Sequence, residues 1–212
     1  MQEKTIYLIR HGETELNRQR IIQGSGVDAP LNQRGLQQSR AFFDAWQHIP
    51  FEVVMASTLI RTHQTVAPWK EAGLPVEQFH HINEISWGDH EGKPGEPHMV
   101  RAYKTMIAQW SSGNFDARLP NGESAAELSA RTKWFVDHLR ERPESHILVC
   151  AHGRTMRCLL CHFRGEHLRE MEKYRHSNTG LYQLRFDGKR FEIELENDIR
   201  HLENLAPGVW HD

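Results

Sequence analysis

The residues best suited to chemistry are two arginines and two histidines that follow apolar runs of the sequence: Arg10, His11, Arg61 and His152. Two guanidinium groups can bind phosphate oxygens bidentately, and a neutral imidazole between them is a nucleophile able to attack phosphorus. The sequence has no GxxxxGK(S/T) loop, which argues against a nucleotide-dependent kinase. A lone pair such as Arg10–His11 is more often structural, but the four residues together predict phosphoryl transfer.

The apolar runs predict three buried strands that end at these polar residues. They are Thr5–Ile9, Val53–Ala56 and Ile147–Ala151. Helical patterns lie between them, and two sets of residues can each share one helix face. These sets are Leu36, Phe42, Phe43 and Trp46, and Leu128, Phe135, Val136 and Leu139. The alternation predicts an α/β fold with a mainly parallel central sheet, helices on both faces and ligands beyond the carboxyl ends of the strands.

The C-terminal part of the sequence predicts a hairpin. Leu181–Phe186 and Phe191–Leu195 flank Asp187-Gly188, which is a strong turn signal, so we expect an antiparallel pair that completes the sheet. No repeat or linker divides the chain, which predicts one domain over residues 1–212. The Gly- and Pro-rich stretch at about residues 88–122, around a predicted helix from His98 to Trp110, is predicted to be an inserted cap.

The composition limits the partners. A formal net charge of -2 does not favour nucleic-acid binding. No apolar stretch reaches transmembrane length, and the first residues do not resemble a signal peptide, so neither a membrane partner nor export is expected. An odd, clustered set of cysteines fits a reducing compartment and predicts a cytoplasmic protein: Cys150, Cys158 and Cys161. We expect a monomer or a homodimer.

Metal and cofactor signals are weak. The 15 histidines are scattered without an HExxH spacing, so no metal is expected. The stretch Cys158–His162 has the spacing of a c-type haem attachment site or half a zinc site. It lacks the export context of the first and the second cysteine pair of the second, and we expect a helix packed behind the His152 loop. The sequence therefore predicts an enzyme with no cofactor.

Several motifs, in order along the chain, resemble the histidine phosphatase superfamily, which includes the cofactor-dependent phosphoglycerate mutases. The motifs are RHGETELN from Arg10, STLIRTHQT from Ser57, NEI from Asn83, PNGES from Pro120 and AHGRTMR from Ala151. The resemblance runs from about Thr5 to about Arg157 and continues weakly through HSNTGLYQL. It implies a phosphoglycerate mutase-like fold and a phosphohistidine intermediate.

By that resemblance, His11 is the phosphorylated nucleophile, and three residues form the pocket for the transferring phosphoryl group: Arg10, Arg61 and His152. Glu84 matches the proton donor, which must be a carboxylic acid held neutral until transfer. We expect His152 to be protonated beside the phosphate dianion, whereas the neighbouring arginines favour the neutral form of His11.

The resemblance also implies further substrate contacts, at Asn17, Gln23, Gly24 and Gly153. Gly12 is expected to orient the His11 ring through its backbone. Arg157 is expected to contact a sugar phosphate, because MRCLL is similar to the bisphosphatase half of 6-phosphofructo-2-kinase/fructose-2,6-bisphosphatase.

The chain departs from the mutases of this superfamily in two places. They resemble one another in a YGxLQGLNK stretch and in two adjacent arginines that grip the substrate carboxylate. This chain has WGDHEGK from Trp87 and an isolated Arg118 instead. We therefore predict a phosphomonoesterase acting on a small phosphorylated metabolite, with a phosphoglycerate mutase as the alternative. A non-catalytic module that binds a phosphorylated ligand is a further alternative.

Overall fold

A computed structural model of the protein describes residues 2–205, so the ends of the predicted domain lie outside the described residues. The strands are β1 (Lys4–Arg10), β2 (Val53–Ala56), β3 (Val76–Gln78), β4 (His146–Ala151), β5 (Leu181–Phe186) and β6 (Phe191–Asp198). They form one six-stranded sheet in the order β3-β2-β4-β1-β5-β6. The first four strands of that order pair in parallel, whereas β5 and β6 are antiparallel to their neighbours. The predicted hairpin is therefore confirmed.

Six α-helices accompany the sheet in the described part of the chain. They are α1 (Glu15–Arg18), α2 (Gln33–Trp46), α3 (Ile60–Glu71), α4 (Pro97–Ser112), α5 (Ala125–Glu141) and α6 (Gly153–Arg164). Short 3-10 helices span His80–Ile82, Gly88–His90, Leu168–Lys173 and Arg200–Leu202. None of the helices in residues 2–205 has the length and apolar character needed to cross a membrane.

Side chains alternate between the two faces of β1, as a strand requires. Ile6 and Leu8 lie in a hydrophobic cluster with buried residues of α5 and α6. Tyr7 and Ile9 lie in a second cluster with residues of α2 and α3. Helices therefore cover both faces of a mainly parallel sheet, and the predicted α/β fold class is confirmed.

The helix α4 lies within the segment predicted to be a cap. It begins with Pro97, whose fixed φ suits the first turn, and is followed by Gly113 at φ 101°, a left-handed residue that ends a helix. Met106 and Trp110 belong to the same hydrophobic cluster as Ile6 and Leu8. This helix is therefore anchored on the core that also holds the sheet.

Two sequence-based expectations about solvent exposure differ from the structure. Leu36 is 44% exposed, whereas Phe42 is buried. The two residues are six positions apart, and at about 100° of rotation per residue their side chains lie on different sides of α2. The charge-rich stretch 166–175 by its sequence predicts a solvated helical face. It contains the 3-10 helix Leu168–Lys173 instead, and Met171 and Tyr174 are buried in the core.

Candidate active site

Three parallel strands bring polar residues to one edge of the sheet. Arg10 pairs with Ala151, and Ala56 pairs with Cys150, so β1, β2 and β4 end side by side. The residues that directly follow these strands are therefore neighbours: His11, Ser57 and His152. The ring centroids of the two histidines are 5.1 Å apart.

His11 is held as a neutral imidazole with a defined tautomer. Its Nδ1–H donates to the carbonyl oxygen of Gly12 at 2.7 Å, which leaves the lone pair on Nε2. Burial, together with the charges of Arg61 and Arg10, holds the pKa of His11 well below its usual range. The amide of Asn178 donates to the His11 carbonyl at 2.9 Å and fixes the backbone. The ring can therefore act as a nucleophile through Nε2.

His152 is also neutral in this structure, but with the other tautomer. Arg61 Nε always carries a proton and donates to His152 Nδ1 at 3.1 Å, so that nitrogen must bear the lone pair. His152 Nε2–H then donates to Ser57 Oγ at 2.7 Å. Burial and the charge of Arg61 hold the pKa of His152 well below its usual range. The expected protonation of His152 concerns the complex with a phosphate dianion, whose charge favours the protonated ring, and it stays a prediction.

The two arginines of the predicted phosphate pocket have different surroundings. Arg61 is fully buried and donates through Nη1 and Nη2 to the carbonyl oxygens of Val27 and Gly24, at 2.8 and 3.2 Å. Arg10 Nη1 donates to the carbonyl oxygen of His176 at 2.9 Å, but its buried Nε has no hydrogen-bond partner among the described residues. Burial lowers the pKa of Arg10 to about 10. An unpaired donor on a buried cation is suited to an anionic ligand.

Glu84 lies at the N-terminus of α6. Its Oε1 accepts from the backbone N–H of Ile85 and of Thr155, at 3.0 and 3.1 Å, and its Oε2 accepts from the backbone N–H of Arg154 at 3.1 Å. These three backbone donors fix the position of the Glu84 carboxyl group at the start of the helix.

A cavity of about 310 Å³ lies at this edge of the sheet. Of the site residues predicted from sequence, it is lined by Arg10, His11, Asn17, Gln23, Glu84 and Gly153. Five others do not line it: Gly12, Gly24, Arg61, His152 and Arg157. Asn17 and Gln23 are both held by Thr14, whose Oγ1 accepts from the Asn17 backbone N–H and from Gln23 Nε2 at 3.1 and 2.7 Å.

The two glycines are required by close packing and not by the cavity. A Cβ atom on Gly12 would lie 2.6 Å from the carbonyl oxygen of Gly35. A Cβ atom on Gly24 would lie 2.6 Å from the carbonyl oxygen of Ile85. Because backbone atoms cannot move aside cheaply, both positions exclude larger residues.

Sequence reasoning missed half of the cavity wall, which is formed by Ile21, Ile22, Trp87, Tyr103, Arg154 and His176. Tyr103, for example, comes from α4, where no motif marks it. Arg154 could have been predicted from the sequence, because it is a charged residue directly after His152-Gly153. Arg157, three residues further along α6, pairs with Glu172 instead of lining the cavity.

The Cys158–His162 stretch forms part of α6 and carries no sign of a metal site. All three cysteines are free and buried. Burial raises the pKa of Cys158 to about 11, which disfavours the thiolate that binds metals. Within residues 2–205, no group of three or more histidine, cysteine or acidic residues has the arrangement needed to hold a metal ion.

Comparison with known proteins agrees with this geometry. The sequence model of the histidine phosphatase superfamily (branch 1) matches residues 6–199. A protein of Hydrogenobacter thermophilus named as a phosphoserine phosphatase is 25% identical over 204 residues, covering 96% of this chain and 100% of the relative. A protein of Shigella dysenteriae named as a phosphoglycerate mutase, GpmB, is 28% identical over 208 residues, covering 95% of this chain and 96% of the relative.

A solved structure has the same fold. The α-ribazole phosphatase of Shigella flexneri superposes with a TM-score of 0.80 at 24% identity, covering 92% of this chain and 96% of that chain. The chain belongs to the histidine phosphatase superfamily, as its motifs predicted, and it is an enzyme of that superfamily.

Proposed function

We propose that the protein hydrolyses phosphate monoesters of small metabolites through a phosphohistidine on His11, without a metal. One observation carries this proposal: a neutral His11 with its lone pair on Nε2 lines the same cavity as the Glu84 carboxyl group and the unpaired Nε of Arg10. A nucleophile, an acid and an anion-binding group on one cavity are the components that phosphoester cleavage requires.

The proposed reaction has two steps. In the first, His11 Nε2 attacks phosphorus, the P–O ester bond breaks, and Glu84 gives its proton to the leaving alkoxide. In the second, water attacks phosphorus, the P–N bond breaks, and the water proton returns to the Glu84 carboxylate. Inorganic phosphate and neutral His11 are the products. Arg10 and Arg61 offset the charge on the phosphoryl oxygens throughout.

A chelator experiment tests whether the reaction uses side chains alone. Purified enzyme, dialysed against EDTA, is expected to release phosphate from p-nitrophenyl phosphate at the rate of the untreated enzyme. The same enzyme should also release phosphate from at least one member of a panel of phosphorylated metabolites. Activity lost on chelation and restored by Mg²⁺ or Zn²⁺ would contradict the proposal.

A phosphoglycerate mutase is the second candidate, because the Shigella dysenteriae relative with that name is 28% identical over nearly the whole chain. Both activities are measured with 3-phosphoglycerate, with and without 2,3-bisphosphoglycerate. We expect phosphate to appear faster than 2-phosphoglycerate. Faster isomerisation, stimulated by the bisphosphate, would show that the mutase is the right assignment.

The charge of Arg61 gives a pH prediction. Arg61 lowers the pKa of His11, so removing its charge should raise that pKa. Because only the neutral ring attacks, the acid limb of kcat/KM for p-nitrophenyl phosphate should move to higher pH in Arg61→Met. Arg61→Lys keeps the charge and should keep the limb near its wild-type position. An identical limb in the two variants would mean that Arg61 acts through geometry alone.

Two finer assignments accompany the proposal. We assign the enzyme to the cytoplasm, because its free, buried cysteines fit a reducing compartment. We expect a monomer or homodimer, which light scattering of the purified protein measures directly.

A further inference from the structure

Arg154 is a cation held rigidly in the wall of the proposed active-site cavity. Its guanidinium lies over the rings of Trp87 and Trp110, at 5.8 and 5.5 Å from their centroids. Nη2 donates to the hydroxyl of Tyr103 at 2.9 Å, and Nη1 donates to the carboxylate of Glu172. Because aromatic faces and hydrogen bonds both restrain it, the positive charge has a defined position.

The charges around Arg154 do not balance. Arg157 Nη1 also donates to Glu172, so two guanidinium groups share one carboxylate. No other carboxylate in residues 2–205 lies within 4.0 Å of either guanidinium. The two arginine side chains are only 5% and 13% exposed. One largely buried positive charge therefore lacks a partner, which is costly unless a ligand supplies the missing anion.

This cluster, made of Arg154, Arg157 and Glu172, lies next to the proposed proton donor. The backbone N–H of Arg154 donates to Glu84 Oε2 at 3.1 Å. An ester oxygen that takes its proton from Glu84 therefore lies beside the first turn of α6, on the same cavity wall as Arg154. The proposed reaction assigns the phosphoryl group to Arg10 and Arg61, which leaves the charge of Arg154 available to another part of the substrate.

We infer that the leaving alcohol of the substrate carries a second anionic group, a carboxylate or a phosphate, which binds Arg154 and balances the charge of the cluster that Arg154 forms with Arg157 and Glu172. The inference rests on the proposed function and narrows its substrate class. A guanidinium has five N–H donors, and the contacts of Arg154 with Tyr103 and Glu172 use two of them. The remaining donors are suited to carboxylate or phosphate oxygens, and one added negative charge would balance the cluster.

The test compares kcat/KM for 3-phosphoglycerate, fructose 1,6-bisphosphate and glycerol 1-phosphate. Besides the phosphate that is cleaved, these substrates carry a carboxylate, a second phosphate and no further anion, respectively. The wild-type enzyme should prefer one of the first two over glycerol 1-phosphate by roughly 10- to 100-fold, as expected for a charge-assisted contact. Arg154→Met should remove most of that preference, whereas Arg154→Lys should keep part of it. Which of the two anionic substrates is favoured shows whether the second anionic group is a carboxylate or a phosphate.

A second variant should have the opposite effect. Glu172→Gln removes the one carboxylate of the cluster, so KM for the favoured anionic substrate should fall, with a smaller change for glycerol 1-phosphate. The Glu172 side chain is 38% exposed, so the substitution should not disturb the core. Thermal melting checks that each variant folds. If the wild type shows no preference for anionic substrates, or if Arg154→Met loses activity equally on all substrates, this inference is wrong but the proposed function stands. If the wild type hydrolyses none of them or of the wider panel, the proposed function fails and this inference fails with it.

Discussion

Replacing His11 by alanine is expected to reduce turnover by at least ~10⁴-fold, because it removes the atom that forms the bond to phosphorus. Among residues 2–205 the side chain makes one hydrogen bond, to the Gly12 carbonyl, so the fold should survive its loss. Rapid quenching of the wild type with ³²P-labelled substrate should trap acid-labile, alkali-stable label. The same experiment on His11→Ala should trap none.

His162→Ala is the matched control for this variant. His162 is a partly buried histidine of α6 that contacts Ser129 and does not line the cavity. Its loss should leave the rate and the label near wild type. Label on a residue other than His11, or substantial turnover by His11→Ala, would show that another group attacks phosphorus.

Glu84→Gln is expected to slow the hydrolysis of an alkyl phosphate by ~10²- to 10⁴-fold, the usual contribution of a general acid. The loss on p-nitrophenyl phosphate should be much smaller, because p-nitrophenolate leaves without a proton. With the alkyl substrate, the alkaline limb of the wild-type rate profile should weaken or disappear in Glu84→Gln, because glutamine has no acidic proton to lose.

Thr155→Val separates proton donation from positioning. The Thr155 hydroxyl donates to Glu84 Oε1 at 3.1 Å, and removing it disturbs the carboxyl group without replacing the acid. Any loss in Thr155→Val should be similar for the two substrates. If Glu84→Gln also loses activity equally on both substrates and keeps the alkaline limb of the rate profile, Glu84 only positions the substrate. His152, whose Nε2 carries a proton, is then the next candidate for the acid.

Local sequence was sufficient to predict which residues meet at the sheet edge but not the surroundings of Arg154. Arg10, His11 and His152 lie at or directly after strand ends, and parallel strands bring such residues together whatever the details of packing. Arg154, Tyr103 and Glu172 come from three separate elements. Their meeting depends on how the 3-10 helix Leu168–Lys173 packs on both α4 and α6, which no local pattern encodes.

The tautomer of His152, that is, which ring nitrogen carries the proton, could not be predicted from the sequence for a different reason. It depends on which atom of Arg61 faces which ring nitrogen, a matter of side-chain rotamers. Similarly, a motif identifies Gly12 and Gly24 as important without saying why. The structure supplies the reason, which is the approach of another backbone segment to each glycine.

The central place of β1 in the sheet has a consequence for synthesis of the protein. Ile9 pairs with Leu181, and the carbonyl oxygen of Arg10 accepts from the backbone N–H of Thr179 at 3.0 Å. The strand that leads to His11 is therefore completed only by residues far along the chain. At ordinary translation rates, these emerge on the order of ten to thirty seconds after His11. During that interval the nascent chain exposes the unpaired edge of an apolar strand and has no assembled phosphate site. Ribosome-bound chains ending before β5 should therefore be inactive and should depend on chaperones to stay unaggregated.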